Sequence, residues 1–414
     1  MAKIESIKQY EGNVLDTIFF RPMLTGDNAE KLGIRVLYNV PAPTTLHFWR
    51  GNGDVLQKYT TRGWSGGSPS EKFQKQIDLT KVKAEMAYSA EDYFSTVYEL
   101  IAARPDVNLD DLSGTELEAA ETDIFRASIA ESIRANMWYG NTERSEGVLN
   151  AFDGVIKKIM YDFAKSSPKE FHIEGYFKNT ESPKWGENLL KELWDNAPCE
   201  LQSLRSEGQL AYFVTTDVYN AYEECLDNVA LESAYLAKQN GRDRLYFRGI
   251  PVIDVQLNGY NKVVGDMPTS FAILTDRRNL TLAVNTSDYP GTEVRMWYNP
   301  DEMENRQRAI FMAGCDYLLP ELMSVGFGLP ISDAKWKVED GMFSFQAAFT
   351  MDEGAVRQIE VSTYGADGEY LLDSEPMEIS DGRVSIEMEM EGEMDAIEFN
   401  ISYTASGLRL VRCS

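Results

Sequence analysis

The stretch from Thr115 to Tyr139, TELEAAETDIFRASIAESIRANMWY, decides how the rest of the chain is read. Leu117, Ile124, Phe125, Ser128, Ile129, Ile133 and Met137 recur at steps of three and four and so share one face. Glu118, Glu121, Arg126, Glu131 and Arg134 fall mostly elsewhere. That spacing predicts one amphipathic helix, roughly 37 Å long at 1.5 Å per residue. Ser113 with Glu116 three residues on has the spacing of a capping box, and the acidic first turns suit the positive end of the helix dipole. Gly140 followed by Asn141 supplies the stop.

With 414 residues and 43% hydrophobic content the chain can bury large cores, and its length suggests two or three domains. No apolar run reaches the about 18 residues of a membrane span, and MAKIESIKQYEGNV lacks the apolar core of a signal peptide, so a cytoplasmic protein is expected. Cys199, Cys225, Cys315 and Cys413 are scattered without a CxxC, which predicts reduced, buried thiols rather than disulfides or zinc. A net charge of −26 argues against a protein that grips nucleic acid, though not against one that encloses it. Residues 330–414 hold 6 Lys/Arg against 18 Asp/Glu, so the last fifth of the chain carries almost half of that charge.

Residues 1–40 show no sustained period and read as an arm. From Pro41 the composition changes to TTLHFWR, a glycine-rich excursion with GNGD and RGWSGGSPS, and then FQKQIDLTKVKAEMAYS. In the last piece Val82, Ala84, Met86 and Tyr88 alternate with Lys81, Lys83, Glu85 and Ala87, the period of a half-buried strand. Two strands around a long loop predict an extended hairpin. It carries Phe48, Trp49, Trp64 and Phe73, large rings with little local chain to bury them, which points to a partner surface.

Ser89 caps a predicted helix to about Ala102, and an acidic linker leads into the long helix. Beyond it, GVIKKIMYDFAK and GENLLKELWDNA read as helices, LAYFVTT as a buried strand, TTDVYNAYEECL as a helix capped by Thr216 or Asp217, and LYFRGIPVIDV as a strand broken at Gly249 and Pro251. FAILT, NLTLAVN, TEVRMWY and RAIFMAGCDYLLPELMSVGFG return to strand character. In residues 330–414, Phe343, Phe345, Ala347 and Phe349 alternate, as do Val384, Ile386, Met388 and Met390, with Asp340-Gly341, Asp367-Gly368 and Asp381-Gly382 among the turns. A small immunoglobulin-like β-sandwich is expected there.

The chemical motifs lack their contexts. Gly63-Trp64-Ser65-Gly66-Gly67 fits the nucleophile-elbow pattern, but its flanks are too polar for a buried strand and only His172 follows as a base. Asp106, Asn108 and Asp110 open like a calcium loop, yet Asp111 and Leu117 stand where glycine and glutamate are needed. Asn279, Asn285 and Asn400 begin glycosylation sequons in a chain with no secretory signal. With only His47 and His172, multi-histidine metal chemistry is excluded. No catalytic residue, metal or cofactor is expected.

In the order of its elements the chain resembles the major capsid proteins of tailed double-stranded DNA phages. KVKAEMAYSAEDYF is similar to that family's return strand and capped helix, and IRANMWYGN with GVLNAFDG to the end of its spine helix and following turn. LYFRGIPVIDV resembles its axial-domain strand, and RAIFMAGCDYLLPELMSVGFG its closing strands. The resemblance spans roughly residues 30–328 and implies an α+β fold divided into an N-terminal arm (1–40), an extended hairpin loop (41–82), a peripheral domain with the spine helix (83–145), an axial domain (146–275) and return strands (276–329). The immunoglobulin-like block at 330–414 would be an addition resembling domains that decorate some phage shells.

The resemblance implies a structural protein, not an enzyme. Its copies would assemble as hexamers and pentamers into an icosahedral or prolate capsid in the host bacterial cytoplasm, enclosing double-stranded DNA without reading its sequence and without a membrane. A separate scaffolding protein is implied because no long helical segment precedes the hairpin, and a portal with it. Some members cross-link a hairpin lysine to a neighbour's asparagine; Lys58, Lys72 and Lys75 are candidate donors, but no acceptor is assignable and no cross-link is expected. Phe48, Trp49, Trp64 and Phe73 would make the intersubunit contacts. The alternatives are an encapsulin-like nanocompartment shell and a serine hydrolase using Ser65.

Overall fold

A computed structural model of the chain describes residues 8–10, 33–38, 44–50, 71–89, 116–145, 147–165, 172–176, 184–228, 245–262, 264–285, 293–329, 331–339, 341–349, 356–364, 370–379, 382–389, 396–403 and 409–413. In chain order the elements are β1 (Lys8–Tyr10), β2 (Arg35–Tyr38), β3 (Thr44–Arg50), β4 (Glu71–Ile77), β5 (Thr80–Ser89), α1 (Glu116–Tyr139), α2 (Val155–Lys165), β6 (His172–Tyr176), α3 (Trp185–Asp195) and α4 (Cys199–Ser203). There follow β7 (Leu210–Val214), α5 (Thr216–Asn228), β8 (Leu245–Phe247), β9 (Ile250–Asp254), β10 (Phe271–Asp276), β11 (Leu280–Asn285), β12 (Glu293–Asn299), β13 (Glu304–Tyr317) and β14 (Met323–Gly328). Last come β15 (Ile331–Glu339), β16 (Met342–Phe349), β17 (Val356–Tyr364), β18 (Tyr370–Asp373), β19 (Met377–Glu378), β20 (Arg383–Glu389), β21 (Ala396–Tyr403) and β22 (Arg409–Cys413). The protein is thus a mixed helix-and-sheet chain. The helix expected to start at Ser89 and the acidic linker after it lie outside the described residues.

Two compact units form: residues 1–22, 36–125 and 282–318 make one, and residues 23–35, 126–281 and 319–414 the other. The first is built on a sheet in the order β1-β12-β13-β11-β2, with β5 also bonded to β13. Thr80 to Ser89 runs antiparallel to Ala313 to Glu304 without a break. The expected alternation in β5 is present, with Val82 buried, Ala84, Met86 and Tyr88 half-buried and Lys81, Lys83, Glu85 and Ala87 exposed. The ribbon β3–β4 is paired as far as Ile77, and the next strand, β5, finds its partner in β13.

Helix α1 spans the predicted stretch. Phe125, Ile129, Ile133 and Met137, each four residues apart, form its buried seam. Ile124 is 54% exposed, since it lies a full 100° step off that seam, and Ser128 is half-buried. Towards its end the helix is buried on all sides by Ala135, Asn136, Trp138 and Tyr139, with the Trp138 ring 5.0 Å from Phe271 and 5.8 Å from Phe213. The helix stops where the chain crosses itself. A Cβ on Gly140 would stand 2.0 Å from the Phe152 carbonyl oxygen, and one on Gly154 2.6 Å from that of Trp138, so both positions need glycine for close approach. The crossing is pinned by Asn141 N–H to Leu149 O and Gly154 N–H to Gly140 O, each 2.8 Å. Buried Asn136 completes it, donating to Ser132 O and Val148 O at 2.9 Å and accepting from Ala151 N–H at 3.2 Å.

The second unit holds a sheet in the order β6-β14-β10-β7-β9-β8. β7 and β10 are buried along their whole length, as befits central strands covered on both faces. Leu189, Leu190 and Leu193 of α3, Val218 and Tyr222 of α5 and Leu201 of α4 join Tyr212, Val214, Val252 and Leu274 in one core. Gly249 marks a turn rather than a broken strand: Arg248 and Gly249 both have positive φ, 50° and 80°, the signature of a two-residue turn between β8 and β9. In the C-terminal block β15, β16 and β20 form one antiparallel sheet, and β18, β17, β21 and β22, with β19 on β17, form another. Phe343, Phe345 and Ala347 with Val384, Ile386 and Met388 supply the buried face of the first, and Ile359, Val361 and Ile401 are buried in the second. β22 also lies against β6 and α2.

Candidate assembly interface

Strands β3 and β4 form a two-stranded ribbon apart from the larger sheets. Its register places Phe48 opposite Phe73 and Trp49 opposite Lys72. Along β4, Lys72, Gln74 and Gln76 are exposed, Phe73 and Lys75 half-buried and Ile77 fully buried, so burial deepens towards the root. Trp64, Lys58 and Ser65 lie outside the described residues.

The root is fastened to β13 by a charge, a ring and a bare backbone. Lys75 Nζ lies 2.9 Å from Asp316 Oδ1, whose side chain is 5% exposed, and 3.5 Å from the centre of the Tyr317 ring. A Cβ on Gly314 would approach the Asp78 carbonyl oxygen to 2.3 Å, so only glycine lets the strand pass the turn after Ile77. Lys75 is therefore engaged within the chain itself, while Lys72 is exposed on the same strand. Sequence reasoning missed all three anchors, because a lone aspartate and a lone glycine in a strand carry no periodic signal.

Several of the described polar and titratable groups lie close together. Ser270 Oγ donates to Asp217 Oδ2 at 2.6 Å and lies 2.5 Å from Tyr176 Oη and 3.1 Å from Thr215 Oγ1, but it is fully buried. Burial, with the Asp217 charge added, raises the Tyr176 phenol well above its usual range and keeps it neutral. His172 Nε2 lies 3.6 Å from Glu174 Oε2, too far for a hydrogen bond. Burial first, and Glu174 second, raises the Glu192 carboxyl. Asn279 and Asn285, two of the three sequon asparagines, are buried; Asn279 donates to Leu319 O and accepts from Leu319 N–H. Cys225 and Cys315 are buried as expected, whereas Cys199 is exposed because it opens the short helix α4.

No family model matches the chain, and no curated protein matches it. Among solved structures it is similar to the procapsid of satellite phage P4 with its size-determination protein, at 11% identity and a TM-score of 0.47 over 77% of this chain and 91% of that one. It is also similar to the capsid of a native GTA particle, at 10% identity and a TM-score of 0.42 over 72% and 89%. For the capsid of Myoviridae phage XM1 the values are 13%, 0.40, 72% and 91%. Likeness at this level leaves the residues of this chain to carry any conclusion about function.

Proposed function

We propose that the chain is the major capsid protein of a tailed double-stranded DNA phage or of a particle of that kind, a structural protein whose copies close into an icosahedral or prolate shell. The ribbon β3–β4 is the observation that supports this reading best. A two-stranded ribbon is marginal in water by itself. This one is clamped at its root through Lys75 and the Gly314–Asp78 approach, and it carries Phe48, Trp49 and Phe73 along its length with Trp64 in its loop. Such an arm suits burial against a second copy, and many weak self-complementary contacts are what closes a shell. The order arm, ribbon, long helix, helix-and-sheet body and returning strand β13 is the order implied by the resemblance.

On this reading the copies associate as hexamers and pentamers, with a separate scaffolding protein and a portal, and the acidic chain encloses double-stranded DNA without gripping it. The division at residues 40, 82, 145, 275 and 329 follows the same scheme, and the two antiparallel sheets of 330–414 are an immunoglobulin-like addition. The protein resides in the virion, is assembled in the bacterial cytoplasm and has no catalytic activity. Electron microscopy of the full chain, alone and co-expressed with a scaffolding protein, should show closed shells of uniform size. A monomer or small oligomer under both conditions overturns the reading. Shells filled with cargo protein instead of nuclease-protected DNA would mark an encapsulin-like compartment, and stoichiometric labelling of Ser65 by a serine-reactive probe would mark a hydrolase.

A further inference from the structure

We propose that Arg295, on the face of the strands β12, β13 and β5 that turns away from the buried one, receives a carboxylate from a second copy of this chain. The inference rests on the reading that copies assemble, and it names one contact through which they do so. Val294 and Met296 are buried, as are Asn305, Gln307 and Ala309 on the neighbouring strand. The alternation turns Glu293, Arg295 and Trp297, with Arg306, Arg308 and Ile310, to the other side, where all six are half-buried. Register sets Arg295 directly opposite Arg308, and Arg308 in turn opposite Glu85 of β5. Two like charges so placed repel each other.

The acids around this pair are already in use. Arg308 holds Glu293 at 2.6 Å and lies over the Trp297 ring, 5.6 Å from its centre. Glu304 is 3.2 Å from Arg306, which also meets Glu302, and Glu85 is 2.8 Å from Lys83. Arg295 makes neither an ion pair nor a hydrogen bond with any described residue, and its Nε is buried without an acceptor. A guanidinium offers its donors as a planar fork that fits a single carboxylate. Each copy carries a net charge of −26, so copies repel one another, and contact is favoured where a cation left over on one meets an acid of the next. Double-stranded DNA suits the position less. A line of phosphates laid along this face would also meet the exposed Glu85 and Glu302, whereas one carboxylate meets one fork.

Sedimentation velocity of the full chain over a range of concentrations tests the contact. Arg295→Glu should raise the concentration needed for assembly by at least about tenfold, as loss of a charge pair across an interface requires. The thermal midpoint of the dissociated subunit should stay level or rise, because the substitution sets a carboxylate opposite Arg308. Arg295→Lys treated with a water-soluble carbodiimide identifies the partner: the amine and a carboxylate join as an amide, and the carbodiimide takes up the water as a urea. The peptide carrying position 295 should be joined to an Asp or Glu peptide, and mixed isotope-labelled and unlabelled chains should show that the two come from different copies. Closed shells that form with Arg295→Glu at the parent's concentration overturn the contact and leave the capsid reading standing. Small oligomers in place of shells, dispersed by the substitution, uphold the contact and overturn that reading. Unchanged assembly with loss of nuclease-protected DNA assigns Arg295 to phosphate and overturns the proposal, as does a parent chain that never self-associates. If Arg295→Glu fails to fold, the cross-link decides, and its absence or its confinement to one chain overturns the proposal.

Discussion

Lys75 and Asp316 meet at 2.9 Å across the root of the ribbon, joining the second hairpin strand to the far end of the fourteen-residue strand β13. The carboxylate is nearly enclosed and also accepts from Tyr317 N–H at 2.8 Å, so removing the ammonium takes away an ionic partner at a place with little water to replace it. Lys75→Met keeps the stem over the Tyr317 ring but deletes the ammonium, and should cost about 1.5–3 kcal/mol in denaturant unfolding. Lys72→Met, at an exposed position of the same strand, should stay within about 0.5 kcal/mol of the parent.

The crossing behind α1 has no room for a methyl group. Gly140→Ala would press a Cβ onto a carbonyl oxygen fixed by its own backbone, as would Gly154→Ala, and neither neighbour is a side chain that can turn away. Each substitution should cost about 3 kcal/mol or more, the upper end of overpacking penalties, and should appear as a lowered thermal midpoint or insoluble expression. A substitution accepted within about 1 kcal/mol would mean that the loop 147–154 moves aside.

Asp153 links the same loop to α2. Burial by itself would raise its pKa, but hydrogen bonds from Lys157 and from the backbone and hydroxyl of Thr142 outweigh that and hold the carboxyl below its usual value. A folded pKa below the unfolded one gives stability that is fully present above about pH 4 and is lost as pH falls through the folded value. Asp153→Asn should therefore destabilise by about 1 kcal/mol at neutral pH, and the gap to the parent should close in acid. A gap independent of pH would assign the loss to packing.

The aromatic residues of the ribbon give the sharpest test of shell formation. A ring burying about 150–250 Å² at about 25 cal/mol per Å² contributes on the order of 4–6 kcal/mol as an upper estimate. That exceeds what a marginal lattice contact can lose. Trp49→Ala with Trp64→Ala should abolish shells in sedimentation and microscopy while leaving the thermal transition of the subunit nearly unchanged. Normal assembly would remove these rings from the contacts that close the shell, and outright unfolding would place them in the subunit's own core.

Elements with a local period were legible from the residues alone. The seam Phe125, Ile129, Ile133 and Met137 fixed α1 to within a residue, and strict alternation found β16, β20 and the inner side of β5. Partnership was beyond the reach of local pattern. Nothing in IDLT between β4 and β5 announces a change of sheet, because no glycine or proline marks it and the cause lies in β13. Asn136 reads as one more polar residue of a helix, yet its amide ties three backbone groups of the crossing. Of the four rings assigned to the interface, Phe48, Trp49 and Phe73 share the ribbon and Trp64 lies beyond the described residues.

The pairing of Ser89 with Glu304 has a consequence for synthesis. At about 5–20 residues per second, the stretch from residue 89 to residue 304 takes a ribosome roughly 10–40 s, and β5 has no β13 to pair with until it ends. Throughout that interval the ribbon also lacks Asp316 and Tyr317, the residues that hold its root. Nascent chains crowded on one messenger therefore carry arms that are not yet aimed. On the proposed capsid reading, the ribbon is aimed at a neighbouring copy only once β13 has left the ribosome, which ties the timing of association to the emergence of that strand.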